Sequence, residues 1–208
     1  MDKIRSYTTP RGAIFLEGPV SGEKLESMDM NLKLNIFRPS LKQKKALINI
    51  TRLPNGMVYI ARHNNEIVGY ITFHQPDEYS RWINHPRVIE MGAIEVSADW
   101  RNYKIAKNLL AFAFSNPFLD DYITITMEYC WHWDLEETGL GIWDYQRTLT
   151  RLFGYVGLVV VPTDDPDIND HPANVLMARF GKNISREDKK IFENMAYMDK
   201  FQSKANLI

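Results

Sequence analysis

Residues 88–110, VIEMGAIEVSADWRNYKIAKNLL, change their hydrophobic period from strand-like to helical across one short turn. Val88–Val96 is rich in β-branched and apolar residues, Ser97-Ala98-Asp99-Trp100 reads as a turn, and Ile105, Leu109 and Phe112 recur at i, i+4 and i+7. That spacing predicts a helix over 104–115. A strand feeding a helix through a tight turn limits the chain to folds in which helices pack back onto a sheet. It also creates chemistry. A helix start offers several backbone N–H groups without intrahelical partners and the positive end of the helix dipole, a geometry that holds a pyrophosphate without special side chains.

The remaining segments extend the same pattern. Residues 13–17 read as a short strand closed by Gly18-Pro19, Ser21 opens a short helix, and Pro39 starts a second helix with Leu41, Leu47, Ile48 and Ile50 on its apolar side. Residues 57–61 and 67–73 are β-rich, and His63-Asn64-Asn65-Glu66 between them is a hairpin turn. Residues 77–87, with two prolines and mixed charge, read as a long loop. Residues 122–129 alternate, with Ile123, Ile125, Met127 and Tyr129 on one face and Thr124, Thr126 and Glu128 on the other. A helix is expected over 141–153, a buried strand over 157–161 and a last strand over 173–180. Ser185 with Asp188 forms a capping-box pattern ahead of a terminal helix striped by Ile191, Met195 and Met198. The expectation is one α+β domain over 1–208, a mixed and mostly antiparallel twisted sheet flanked by helices, with 182–208 as a C-terminal helical extension.

Composition excludes several function classes. The formal net charge of −1 supplies no basic field to gather nucleic acid or an anionic membrane. No apolar run approaches the roughly 20 residues of a membrane span, and Met-Asp-Lys-Ile-Arg at the start lacks the apolar core of a signal peptide. The single cysteine, Cys130, rules out an intrachain disulfide framework and a thiolate-rich zinc site. A cytoplasmic location is expected. His132 and Asp134 make a weak metal pair at most, because the five histidines are scattered, so no metal is expected. Cys130 itself reads as a small buried residue rather than a nucleophile.

The segment Arg101-Asn102-Tyr103-Lys104-Ile105-Ala106 resembles the signature of the GNAT superfamily, Arg or Gln, two residues, Gly, one residue, then Gly or Ala. Arg101 and Ala106 fit it; Lys104 stands where that family has glycine. A wider resemblance runs along nearly the whole chain. GAIFLEGPVS (12–21), FRPS (37–40), YIARHNNEIVGYITF (59–73), EMGAIEV (90–96), TMEYCWHWDLEETGLGIWDY (126–145) and TDDPDINDHPANVLMARFGK (163–182) are similar to the acetoin-utilisation acetyltransferases of Firmicutes, the AcuA type. The resemblance implies a GNAT fold and acetyl-CoA as co-substrate, with CoA released. It further implies a protein acceptor, the AMP-forming acetyl-CoA synthetase, silenced by acetylation of its active-site lysine.

Attack of a lysine on a thioester needs a neutral amine, and a free lysine has a pKa near 10.4, so a base or a desolvated site is required. Glu90 and Glu95 are the candidates. Glu90 lies eleven residues before Arg101, the spacing of the catalytic glutamate in GNAT histone acetyltransferases; Glu95 sits nearer the end of the strand and is slightly preferred. Five residues apart in an ideal strand they face opposite ways, and a β-bulge at Gly92 would align them. The backbone of Ile94 and Val96 is expected to hold the acetyl carbonyl and pantetheine amides, and Arg101, Asn102, Tyr103, Lys104, Ile105 and Ala106 to cradle the pyrophosphate. Phe153 falls where the family often has a tyrosine general acid, which leaves Tyr155, Tyr145, water or an unassisted thiolate departure. Trp131, Trp133 and Trp143 read as packing or, alternatively, as an acceptor-protein groove. Asp164-Asp165-Pro166 reads as a turn. Two further readings stay open beside protein-lysine acetylation: a small-amine acceptor, and a regulator that acts by stable complex formation. A second copy of this chain is also an open partner.

Overall fold

The computed structural model describes residues 3–198, and the part of the expected C-terminal extension at 199–208 lies outside the described residues. The chain forms two compact units, the first from residues up to 75 with 91–116, the second from 76–90 with the residues after 116.

In the first unit, β1 (Lys3–Thr9) and β2 (Gly12–Gly18) form an antiparallel hairpin, with Thr9 opposite Gly12. The strand β1 had no counterpart in the sequence reading, because KIRSYTT is mostly polar and lacks a clean alternation. Next come α1 (Gly22–Glu26), the short β3 (Asp29–Met30), α2 (Ser40–Ile50), and the hairpin of β4 (Met57–His63) and β5 (Glu66–His74). The expected turn is present, with Asn64 at φ 51°. Strands β2, β4 and β5 pair antiparallel in that order, β3 runs parallel to the start of β5, and β6 (Val88–Val96) follows β5 in the sheet. The helix α3 (Ile105–Ala113) ends this unit. Helices cover both faces, so β5 reads IVGYITF with little alternation, as a doubly buried strand should. On one face Leu25, Leu34 and Leu47 pack on Val58, Ile60 and Tyr70. On the other, Phe112 of α3 meets the Tyr59 ring edge-on, and Tyr59 meets Phe73. Leu41 is not on the apolar side of α2: it is 70% exposed, and Gln43 is buried instead. The stripe that α2 buries runs through positions 40, 43, 47 and 48, and Leu41 lies about 100° round the helix from Ser40, at its margin.

In the second unit, the residues Val88, Ile89 and Glu90 of β6 pair in parallel with β7 (Ile123–Glu128), starting at Val88↔Ile123 and ending at Glu90↔Ile125. After β7 come α4 (Leu135–Thr138), α5 (Ile142–Gly154), β8 (Val159–Val160), α6 (Pro166–Asn169), β9 (Val175–Phe180) and α7 (Arg186–Met195). Strand β9 lies antiparallel between β7 and β8. Trp82, on a 3-10 turn within the expected 77–87 loop, stacks on Phe192 of α7 with ring centres 4.7 Å apart. The capping box at Ser185 and Asp188 is formed as expected, but the residue α7 buries most completely is Phe192, and Ile191 is largely exposed. The expected buried strand over 157–161 is corrected too. Its paired part is two residues long, and Val159 is 57% exposed on the edge of the sheet, whereas Leu158 just before it is buried.

Glu17 ties the first unit together. It is 1% exposed and accepts from Arg62 Nη2 at 2.5 Å and Lys24 Nζ at 2.7 Å, joining β2, β4 and α1. Burial pushes its pKa up, but the hydrogen bonds and charges of Lys24 and Arg62 outweigh burial and hold it below the ordinary value of 4.5. A depressed folded pKa means that the ion pairs stabilise the protein fully above 4.5 and are lost as pH falls through the lower folded value. Thermal melts of Glu17→Gln should show a large loss of stability at pH 7, about 3 kcal/mol, because two cations are left facing a neutral group. The gap to the wild type should shrink as the pH is lowered below 4.5 through the depressed folded value.

Candidate functional site

The turn after β6 is built as the sequence suggested. Ala98–Trp100 form a 3-10 turn, Arg101 is extended, and α3 starts with Asn108 N–H bonded to the Lys104 carbonyl at 3.0 Å. Two residues of this turn are left-handed, Asn102 at φ 68° and Lys104 at φ 59°. Asn tolerates that region, whereas Lys incurs a steric cost of about 1 kcal/mol there. This accounts for glycine in the signature that the segment resembles: position 104 is the residue that turns the chain into the helix. Lys104 is the N-cap of α3 and makes no side-chain cap, so the first N–H groups of the helix stay available to an anion. Arg101, Tyr103 and Ala106 are partly buried around this helix start, Ile105 is buried, and the side chains of Asn102 and Lys104 are exposed.

The turn is anchored from outside. The Arg11 guanidinium donates to the Asp99 carbonyl and lies 5.1 Å from the centre of the Trp100 ring. The Lys33 ammonium pairs with Asp99 Oδ1 at 2.7 Å, and Ser97 Oγ donates to Asn31 Oδ1 at 2.8 Å. None of these three anchors was singled out from the sequence, since each joins segments more than sixty residues apart.

The two candidate glutamates have different surroundings. Glu95, in the first unit, is 2% exposed. Its Oε1 accepts from the Ile36 N–H at 3.0 Å, and its Oε2 accepts from the Tyr70 hydroxyl at 2.5 Å. Burial raises its pKa, opposed by the Ile36 and Tyr70 hydrogen bonds and by the nearby Arg101 charge. One carboxylate oxygen thus holds the segment before α2 and the other holds Tyr70 of β5. Glu90, in the second unit, is only half-buried and sits on the register that pairs it with Ile125. The same unit holds a carboxylate that the sequence reading put on the polar face of β7 without giving it a role. Glu128 has its pKa raised by burial and by the like charge of Glu90, against a hydrogen bond from Thr126 at 2.8 Å.

The other candidates resolve simply. Phe153 is fully buried, Tyr155 is exposed, and Tyr145 stacks on Trp133 with ring centres 5.3 Å apart. Trp131 is 55% exposed and stacks on Tyr129, and Trp143 is also exposed, so neither is a core residue. Cys130 is partly buried with its pKa raised by burial. Asp164 and Asp165 both pair with Arg81, at 2.6 and 3.2 Å, and Asp165 caps α6. Among the described residues no group of three or more His, Cys, Asp or Glu is placed to hold a metal ion, and no helix is long and apolar enough to cross a membrane.

Comparison with known proteins bears on this geometry. Residues 28–116 match the Acetyltransferase (GNAT) family. The chain is 44% identical over 199 residues to the acetoin utilization protein AcuA of Bacillus licheniformis, covering 95% of each chain. It is 40% identical over 195 residues to the AcuA protein of Bacillus subtilis, covering 93% of each. The crystal structure of an acetoin utilization protein from Exiguobacterium sibiricum superposes with a TM-score of 0.92 at 39% identity over 98% of both chains. The GNAT domain of S. lividans PAT shares the fold, with a TM-score of 0.53 at 10% identity over 84% of this chain and 95% of that one.

Two expected outcomes follow from the site. Lys104→Gly should raise thermal stability by about 1 kcal/mol, because glycine enters the left-handed region without the steric cost. Glu95→Gln should leave the protein folded. Ionising the buried carboxyl opposes folding as pH rises from 4.5 through the raised folded value, so melts of Glu95→Gln against the wild type should show a gap in favour of the variant that widens over that interval.

Proposed function

Because the chain belongs to the GNAT acetyltransferase family, and within it to the acetoin utilization proteins, we propose that it transfers the acetyl group of acetyl-CoA to a lysine side chain of the AMP-forming acetyl-CoA synthetase and thereby silences that enzyme. The observation that carries this reading is the uncapped start of α3 behind two left-handed residues. It offers backbone donors and a positive dipole end to a pyrophosphate, with the Lys104 ammonium beside them. The residue types present fit the co-substrate. Arg101, Asn102, Tyr103, Lys104, Ile105 and Ala106 take the diphosphate, and the backbone of Ile94 and Val96 takes the pantetheine amides and the acetyl carbonyl.

In the proposed reaction the lysine nitrogen attacks the thioester carbon, the C–N bond forms, the C–S bond breaks, and CoA leaves as thiolate or thiol. The ammonium proton must go first. Glu95 or Glu90 takes it, with Glu95 slightly preferred. The oxygens of buried Glu95 accept from Ile36 and Tyr70, and each carboxylate oxygen keeps a further lone pair for a proton. With Phe153 buried and without a hydroxyl, the thiolate departs unassisted or is protonated by water or by exposed Tyr155. The location is proposed to be the cytoplasm, where both acetyl-CoA and the synthetase would be met.

A second reading is favoured by one observation. The exposed aromatic residues Trp131 and Trp143 suit a protein partner held tightly, whether or not it is modified. The test uses purified protein, acetyl-CoA and the AMP-forming synthetase of the same organism, followed by intact mass and peptide mapping. One acetyl group on one lysine is expected, with the rate reduced about a hundredfold or more in Glu95→Gln or Glu90→Gln, whichever removes the base. An unmodified synthetase that co-elutes with this protein would replace catalysis by stable complex formation, and an acetylated small amine with no modified synthetase would move the acceptor to that class.

A further inference from the structure

Acetylation takes two protons from a lysine ammonium, one before the nitrogen attacks and one after the C–N bond has formed. Glu95 or Glu90 takes the first and later sheds it to water. The second is the proton that the CoA sulfur needs as the C–S bond breaks, and Phe153 has no hydroxyl to supply it. We propose that His74, the last residue of β5, carries this second proton: its Nε2 accepts it from the nitrogen and gives it to the departing sulfur. The inference rests on the acetyl-transfer reading above and adds a catalytic residue to it. Three observations in the first unit carry it.

The first is the tautomer. His74 Nδ1 lies 2.7 Å from the Gln75 carbonyl oxygen. A carbonyl only accepts, so Nδ1 carries the hydrogen of the neutral ring and Nε2 keeps its lone pair. Among the described residues Nε2 has no hydrogen-bond partner. The second is room. A methyl group on Gly92 would collide with Nε2, so the ring fits over β6 because position 92 carries no side chain. Gly92 is exposed and His74 half-buried, which puts the lone pair within reach of a ligand. The third is place. Tyr70, Thr72 and His74 alternate along β5 and share one of its faces. Each meets β6. Tyr70 donates to Glu95 at 2.5 Å, Thr72 Oγ1 accepts from the Ala93 N–H at 3.1 Å, and His74 lies over Gly92. Tyr70 and Thr72 are buried, so this polar row begins at the candidate base Glu95 and emerges at His74. Ile94, whose backbone is proposed above to hold the acetyl carbonyl, lies within that stretch, two residues or about 7 Å along the strand from Gly92. An amine that reaches the acetyl carbon there has the imidazole beside it. An imidazolium is a stronger acid than a thiol, so the proton moves on to the sulfur and the neutral ring is restored.

The test has two parts. NMR of the full chain, isotopically labelled at the histidine ring nitrogens and with the His74 signals assigned by their loss in His74→Asn, should show a protonated Nδ1 and a bare Nε2 in the neutral ring; the opposite tautomer overturns the proposal. Acetylation of the AMP-forming synthetase is then timed for the wild type, His74→Asn, His74→Ala and Gly92→Ala, with thermal melts and calorimetric binding of coenzyme A for each. Asparagine keeps a donor for the Gln75 carbonyl and removes Nε2, whereas Gly92→Ala keeps the ring and displaces it. The value of kcat should fall about a hundredfold in His74→Asn and about tenfold in Gly92→Ala, with coenzyme A affinity unchanged. Added imidazole should restore His74→Ala by about tenfold. Wild-type kcat in His74→Asn overturns the role of His74 and leaves acetyl transfer standing. A fall that imidazole does not relieve makes the ring a structural support and also overturns it. If His74→Ala melts early, Gly92→Ala decides, and wild-type kcat there overturns the role. No transfer by the wild type overturns both the role and the acetyl-transfer reading.

Discussion

The turn between β6 and α3 depends on a seam of polar contacts with residues 31–36. Asn31 receives the Ser97 hydroxyl, Lys33 holds Asp99, and the Ile36 amide donates to Glu95. Each of these contacts alone is modest, about 1 kcal/mol for a neutral hydrogen bond. Together they fix a segment that backbone propensity would leave loose, because a turn with two left-handed residues has few conformations to choose from and a conformational cost for each. Without the seam the N–H groups at the start of α3 would not point in one direction, and an anion site made of backbone alone requires that they do.

The same region shows how one residue can trade stability for chemistry. Glycine at position 104 would enter the left-handed region freely; Lys104 enters at a cost and brings a charge to the start of α3, where unpaired backbone N–H groups favour an anion. A local conflict of this kind is what a functional site looks like when stability and binding ask for different residues. Glu95 presents the opposite case. Its burial is also costly, but its oxygens meet an amide and a phenol, which offset part of that cost.

In the second unit the division of labour is between core and rim. Trp82, Phe192 and Leu176 make the packed interior, and Arg81 locks Asp164 and Asp165 to it. The aromatic run 129–133 instead stacks in pairs at the margin of this core, half-buried Tyr129 with exposed Trp131 and, farther along, half-buried Trp133 with Tyr145. Stacked pairs are rigid, which lowers the entropic cost of using them to bind another protein.

Most of the strands and helices were legible in the sequence, because they are local. The exact bounds of β6, the hairpin turn at Asn64, the Ser21 cap and the capping box at Ser185 all follow from periodicity and from side chains that reach no farther than three residues. The turn between β6 and α3 was legible for the same reason. What the sequence could not determine depends on neighbours distant along the chain. Polar β1 becomes a strand because β2 offers it a ladder, Val159 stays exposed because β8 pairs on one edge alone, and Leu41 faces out because α2 turns Ser40, Gln43 and Leu47 toward the core. The surroundings of Glu90 and Glu95 belong to this second class. Both are strand glutamates among apolar residues, and only the tertiary contacts of Ile36 and Tyr70 decide that Glu95 has its oxygens engaged. Burial and partnership are properties of the folded surroundings, and no local pattern encodes them.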